Sequence, residues 1–361
     1  MKDLGGERLS DRLAVRILTW AFPPDVIERA VRATGRMGVR NRLLPPLVTV
    51  YYVLALCLFP NEAYGEVARL LSRGLALSEF QEPLNLTAVP TTAAISRARA
   101  RLGVEPLKAL FAETSGRPPA QDTAPPGARY GRWRLWVLDG RAVEVPDTPE
   151  NVAAYGEVPA GSSDAAEAAS PRIRVTVLTE GGTGTLVDAD ITPVARGVPD
   201  IAAALVRRLQ PGDLLLADAE YARPELWPAG VATGADLLWN LPAAATPSSG
   251  DLLPDDSYIG AAPGPRTGTG PGLVRVVGES ADGSRRLVTT VLDARAAPAA
   301  ELRAVHADRW LYDEAVAQLA AFRGSRKKVM RSRSPEMIEQ ELWAHLLVYK
   351  AVHNLVNDRI S

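Results

Sequence analysis

The chain has 361 residues, 47% of them hydrophobic and 23% charged, which is enough for two domains or for one large domain with additions. Its single cysteine, Cys57, excludes an internal disulfide and suits a reducing, cytoplasmic setting; with only three histidines beside it, any metal site must be built mainly from oxygen ligands. The net charge of −1 and pI near 6.4 are low for a protein that lives on DNA, but residues 1–115 hold 15 Lys/Arg against 11 Asp/Glu, a net of +4 that leaves −5 for the remainder.

The first residues, MKDLGGERLSDRL, are charged and contain no signal-peptide core. Residues 9–114 read as helices, with apolar residues at spacings of three and four: Leu13, Ile17, Leu18 and Phe22, then Val26, Ile27, Ala30 and Val31. Pro23–Pro24 and Pro45–Pro46 divide the run, each proline tolerated in a first helical turn. The apolar run 47–59 is 13 residues long, too short to span a bilayer, and suits a buried core helix. "AYGEVARLLSRGL" and "TTAAISRARARLGVEPLKALFAE" have the look of a helix–turn–helix, the second capped by Thr91 or Thr92. Arg97, Arg99 and Arg101 make that second helix basic, as a DNA-binding helix or as a solvated face.

Residues 115–131, rich in Pro, Gly and Ala, read as a linker. Beyond it the period changes. "RLWVLDGRAVEVP", "RIRVTVLTE" and "GTLVDADITP" read as strands, the last two joined by a turn at Gly181–Gly182. A helix over 200–209, a buried strand over 213–217, a second helix over 224–233 and a strand over 236–241 follow. A meander followed by alternating helices and strands indicates a mixed α/β domain. Residues 242–272 read as a loop insertion, "LVRVVGES" and "RRLVTTVLD" as a hairpin, and 298–360 as helical.

Three carboxylates stand out. Asp139 and Asp218 each follow an apolar run of buried-strand type, where ligands meet the sheet in α/β folds; the plainer reading is a turn acid, an Asp-Gly turn for Asp139. The third is Asp313 or Glu314 in "HADRWLYDEA". On a helix, His306, Arg309, Asp313 and Ala320 share one face, while Glu314 points about 100° from Asp313. The plainer reading is an Arg309–Asp313 surface pair of small energetic weight. Two-metal phosphoryl-transfer sites need several such hard oxygen ligands. Residues 323–333 carry six basic residues and no acid (Arg323, Arg326, Lys327, Lys328, Arg331 and Arg333), a run able to follow a phosphate backbone or merely to be solvated.

These segments, in this order, resemble the transposases of the insertion-sequence-4 family, a branch of the DDE transposases. "RILTWAFPPDVIERAV" and "ISRARARLG" look like its N-terminal domain; "LDGRAVEVPDTPENVAAYG" and "GDLLLADAEYARPELWPAGVATGADLLW" look like the stretches around its first two acids. "DRW" and "MRSRSPEMIEQELWAHLLVYKAV" look like the region of the third. The resemblance implies an α/β fold: an RNase H-like mixed-sheet catalytic core over 132–361, with 242–285 as an inserted loop and β segment, behind an all-helical N-terminal domain over 1–114 that binds DNA or dimerises. It further implies two Mg²⁺ or Mn²⁺ ions held by Asp139, Asp218 and Asp313, cut-and-paste cleavage and joining of double-stranded DNA at element ends, a homodimer on that DNA, and Arg309 on a DNA-end phosphate.

The departures are as specific as the likeness. The family's third motif, Tyr-x2-Arg-x3-Glu-x6-Lys, reads His306, Arg309, Asp313 and Ala320, and the Arg-Gly that usually follows the second acid is Ala219 and Glu220. Replacing Glu by Asp shortens a ligand by about 1.5 Å, and Mg²⁺–oxygen distances of about 2.0–2.1 Å leave little slack. Ala219 and Ala320 lack cations, and Glu220 adds an anion facing phosphate. Two other outcomes follow from these losses: a DNA-binding protein that no longer cuts, or a core turned to a metal-dependent reaction on a non-DNA substrate.

Overall fold

The computed structural model describes residues 9–38, 44–76, 90–116, 127–156, 170–194, 198–217, 220–262, 272–308 and 330–357. Two compact units emerge: Met1–Gly116, Glu144–Arg172 and Gln318–Ser361 form one, and Arg117–Val143 and Ile173–Ala317 the other.

The first unit is helical: α1 (Leu9–Ala21), α2 (Pro24–Ala33), α3 (Pro46–Leu58), α4 (Tyr64–Ala76), α5 (Thr92–Leu102), α6 (Glu105–Thr114), α7 (Pro149–Tyr155) and, numbered eleventh in chain order, α11 (Pro335–Asn357). α3 is apolar on every side and buried from Val48 to Cys57, as a central helix must be. The two tyrosine hydroxyls inside it donate to backbone carbonyls, Tyr51 to Phe22 (2.6 Å) and Tyr52 to Tyr64 (3.0 Å), so neither is buried unmet. Thr91 caps α5, its side chain accepting from the Ala94 N–H at 3.2 Å.

The connection expected for a helix–turn–helix between α4 and α5 falls on residues 77–89, outside the described residues. The described residues of 144–172 and 318–361 group with the helical unit. The cause is burial: Ile338, Trp343, Ala344, Leu346, Leu347 and Val348 bring apolar surface to several sides of α11, and α3, α6 and α1 cover it.

The second unit is built on a ten-stranded sheet: β1 (Arg129–Tyr130), β2 (Trp133–Glu144), β3 (Arg172–Glu180), β4 (Leu186–Pro193), β5 (Asp213–Ala217), β6 (Asp236–Pro242), β7 (Asp251–Leu252), β8 (Tyr258–Ala261), β9 (Leu273–Glu279) and β10 (Arg285–Thr289). Its order is β4-β3-β2-β5-β6-β10-β9-β8-β7, with β1 paired to β2. β3 and β4 are antiparallel, while β2, β5 and β6 run parallel. The Gly181 N–H donates to Leu135 O at 2.8 Å, and Gly140 lies against Val175 and Thr176, so β2 and β3 are antiparallel as well. Taken from β2 to β6 this is the 3-2-1-4-5 order of an RNase H-like core, three antiparallel strands followed by two parallel to the first.

The remaining strands extend that core. Residues 242–272, expected as a loop, contain the strands β7 and β8, and with β9 and β10 they continue the sheet past β6. The end of the expected linker is strand β1. α8 (Val198–Val206) and α9 (Trp227–Val231) cover one sheet face with Trp136, Leu138, Tyr221 and Trp239. α10 (Ala299–Asp308) packs on the other against β9, and its Ala299 and Leu302 share one apolar cluster with Leu135, Val137, Leu214 and Leu216. A hydrogen bond from the Tyr130 hydroxyl to Glu301 (2.8 Å) ties the start of α10 to the start of the β1–β2 pair.

Candidate active site

β2 does not stop at Asp139. The strand runs through Asp139 and Gly140 to Glu144, so the Asp-Gly pair is not a turn. Alternation along β2 puts Asp139 on the face of Trp133, Leu135 and Val137, which is the face α10 covers. The side chain is half-buried, whereas the six residues before it are buried except Arg134. The core therefore fixes the strand and leaves a carboxylate at the rim.

The parallel register of β2 and β5 runs Leu135↔Leu214, Trp136↔Leu215, Val137↔Leu216, Leu138↔Ala217. In the sequence an aspartate follows each of the last paired residues, Asp139 after Leu138 and Asp218 after Ala217. Leu214 and Leu216 share the α10-covered face with Leu135 and Val137. Asp218 and Ala219 lie outside the described residues, as do Arg309, Asp313, Glu314, Ala320, Arg323, Arg326, Lys327 and Lys328. Among the described residues no three His, Cys, Asp or Glu side chains converge as a metal site. Asp139 is a hard oxygen donor, the ligand type a divalent cation such as Mg²⁺ takes.

Glu220 does not stand as an unbalanced anion. It forms a salt bridge with Arg174 of β3, whose side chain is 8% exposed. The expected repulsion toward phosphate is thereby offset, and the carboxylate is committed to the guanidinium. Next to it, Tyr221 is fully buried, with its hydroxyl 3.2 Å from Thr176 Oγ1. Burial pushes the phenol's pKa up, although Thr176 and Arg174 act against it, so the group remains a neutral hydroxyl. A Cβ on Gly140 would stand 2.2 Å from that hydroxyl and 2.4 Å from Val175 O, so only glycine fits beside Asp139. Nothing in the local sequence announces this cluster, which depends on strand register.

His306 is buried on α10. Of the three arginines expected on a DNA-facing helix, Arg97 and Arg101 are exposed on α5. Arg99 is 1% exposed and is not a surface cation. Its guanidinium donates to Gln340 Oε1 (3.2 Å), Ser332 Oγ (2.9 Å) and Met337 O (3.0 Å), which fastens α5 to the start of α11. Arg331 is likewise engaged. It donates to the carbonyls of Phe59 and Glu62 beyond the end of α3 and lies 4.9 Å from the Tyr64 ring centroid. Arg333 is exposed. Arg99 and Arg331 therefore leave the set of phosphate contacts, because the fold already uses their donors.

Comparison with known proteins bears on the whole chain. Residues 12–112 match the family described as insertion element 4 transposase N-terminal. The Escherichia coli K12 protein named transposase InsG for insertion sequence element IS4 is 25% identical over 339 residues, covering 91% of this chain and 74% of that protein. The putative transposase InsZ of the same organism is 25% identical over 225 residues, 62% of this chain and 69% of the relative. Among solved structures, a piggyBac transposase synaptic complex with hairpin DNA aligns with 96% of this chain and 76% of that one, at a TM-score of 0.46 and 11% identity.

Proposed function

We propose that this chain, similar to transposases of the insertion-sequence-4 family, cuts and joins double-stranded DNA at element ends, using Asp139, Asp218 and Asp313 as ligands of two divalent cations, Mg²⁺ or Mn²⁺. The observation that carries this reading is the β2–β5 register, in which the last paired residues, Leu138 and Ala217, each precede an aspartate.

The third ligand is assigned to Asp313, with Glu314 as the alternative: in helical spacing Asp313 shares a face with His306 and Arg309, and Glu314 points about 100° away.

When bound, the cations would lower the pKa of the attacking water or DNA 3′-hydroxyl and neutralise charge on the scissile phosphate. The protein's own residues set the arrangement. Asp139 offers a half-buried carboxylate on a strand held by Trp133, Leu135 and Val137, so its position is fixed by packing rather than by a loop. The Arg174–Glu220 pair leaves little net charge beside it. Arg309, Arg323, Arg326, Lys327 and Lys328 supply cations for the DNA backbone, with the exposed Arg97, Arg101 and Arg333 as further contacts. A homodimer pairing two DNA ends in the cytoplasm, on the nucleoid, completes the proposal.

The reading is tested by nicking of DNA that carries the sequences flanking the gene. Cleavage by the wild-type chain that needs Mg²⁺ or Mn²⁺ and disappears in Asp139→Ala supports it; activity unchanged in Asp139→Ala overturns it. The losses at Ala219 and Ala320 favour a second reading, DNA binding without cutting. It predicts salt-sensitive binding of the same DNA by the wild type, with no metal-dependent product.

A further inference from the structure

Resting on the metal-site reading above, we propose that Tyr221 is a positioning residue, whose buried hydroxyl fastens the segment after Asp218 to the strands that carry Asp139 and so fixes the spacing of the two carboxylates.

Three observations lead to it. First, the ring of Tyr221 belongs to the apolar cluster of Trp136, Leu138, Leu178 and Ala217, yet it ends in a hydroxyl with 0% of the residue exposed. Packing alone would be served by phenylalanine, and a buried hydroxyl costs free energy unless it is bonded. Second, that hydroxyl is bonded across the sheet: Thr176 Oγ1 of β3 is 3.2 Å away. Third, the hydroxyl occupies the space a side chain would take on Gly140, with an ideal Cβ there lying 2.2 Å from it. Gly140 is the residue after Asp139, and Tyr221 is the third residue after Asp218.

The described residues on either side of Asp218 are thereby anchored to β2 and β3. On the near side, Ala217 pairs with Leu138 in the sheet register. On the far side, Glu220 pairs with Arg174 and Tyr221 docks on Gly140 and Thr176. Only Asp218 and Ala219 lie between the anchors. Mg²⁺ tolerates little departure from octahedral geometry, with oxygen distances of about 2.0–2.1 Å, so a link that removes slack between two ligand-bearing segments acts on metal affinity. It does so without touching the metal or the substrate.

The test is calorimetric titration of Mn²⁺, and then Mg²⁺, into the full chain, with circular dichroism and melting curves recorded alongside. Wild type is expected to bind Mn²⁺ and Asp139→Asn to lose that binding. Tyr221→Phe, which deletes one oxygen, is expected to keep the native spectrum and bind Mn²⁺ about tenfold more weakly, the lower end of what supporting residues around a metal site contribute. Thr176→Val should move affinity in the same direction. Tyr258→Phe is the control, because that hydroxyl bonds Pro247 O in the added strands, 2.9 Å away, and it should leave affinity unchanged. Affinity of Tyr221→Phe within twofold of wild type, while Asp139→Asn has lost binding, overturns the positioning role and leaves the metal reading standing. Equal losses in Tyr221→Phe and Tyr258→Phe overturn it too, as a general loosening. No Mn²⁺ binding by wild type, or the same binding in Asp139→Asn, overturns the metal reading itself. Should Tyr221→Phe fail to fold, Thr176→Val decides: weakened binding supports the role and unchanged binding refutes it.

Discussion

Replacing Arg99 by methionine separates a structural arginine from a DNA-binding one. The substitution keeps most of the side-chain length and deletes the guanidinium, which makes three hydrogen bonds from a site 1% exposed. Ser332 can rotate its hydroxyl to another partner, but Gln340 Oε1 and Met337 O lose a charged donor in the interior. An orphaned buried acceptor costs about 1–3 kcal/mol, so two give about 2–6 kcal/mol. Removing the cost of burying a guanidinium returns part of that, leaving a net loss near 3 kcal/mol. At about 2–4 °C per kcal/mol for a domain of this size, the helical unit should melt about 6–12 °C lower. Arg97→Met, on the exposed side of α5, should stay within about 0.5 kcal/mol of wild type. Thermal and urea melts of both variants give the stabilities, and binding of the flanking DNA by each folded protein gives the other half. Arg97→Met should weaken DNA binding at unchanged stability. If Arg99→Met instead kept wild-type stability and lost DNA affinity, the guanidinium would have to reach the DNA and the assignment would fall.

Further outcomes are expected elsewhere. Gly140→Ala places a Cβ 2.4 Å from Val175 O and 2.9 Å from Thr176 Cα as well as against the Tyr221 hydroxyl; the cost should reach about 3 kcal/mol, the upper end of ordinary overpacking, and adding Tyr221→Phe should not restore stability in urea melts because the backbone clash remains. Lys350 of α11 is buried and donates to Thr114 O and, at 2.8 Å, to Ser115 Oγ at the end of α6; desolvation lowers its pKa to about 8. Its folded pKa lies below the unfolded value near 10.4, so the stability of wild type relative to Lys350→Met should rise from pH 8 toward pH 10 and fall back as pH drops through 8, read from urea midpoints across that range. A flat difference between the two proteins would remove Lys350 from the account of the helical unit.

What could be read from the sequence was what local pattern encodes. The apolar runs before Asp139 and Asp218 identify strands β2 and β5 because each is buried on both faces, and the meander followed by alternation gives the mixed sheet. The true place of Arg99 was also written locally. Ile95, Ala98, Arg99 and Leu102 follow the three-and-four spacing of a buried face, and Arg97 and Arg101 lie on the other side of the helix; the arginine count hid the stripe. Residues whose roles depend on register could not be found this way. Gly140 looks like a turn glycine until β3 and Tyr221 are seen against it, and Glu220 looks like an unbalanced anion until Arg174, 46 residues away, closes on it. The grouping of α11 with the N-terminal helices is likewise a matter of long-range packing, since its apolar sides do not specify which helices will cover them.

The central claim is that β2 and β5 bring Asp139 and Asp218 together around a divalent cation. Anomalous diffraction from a crystal soaked in Mn²⁺ tests it most directly. The account predicts a manganese peak bound by both carboxylates, at metal–oxygen distances of about 2.0–2.3 Å, and absent in crystals of Asp139→Ala. A wild-type crystal in which manganese binds elsewhere, or in which the two carboxylates point to opposite faces of the sheet, would contradict it.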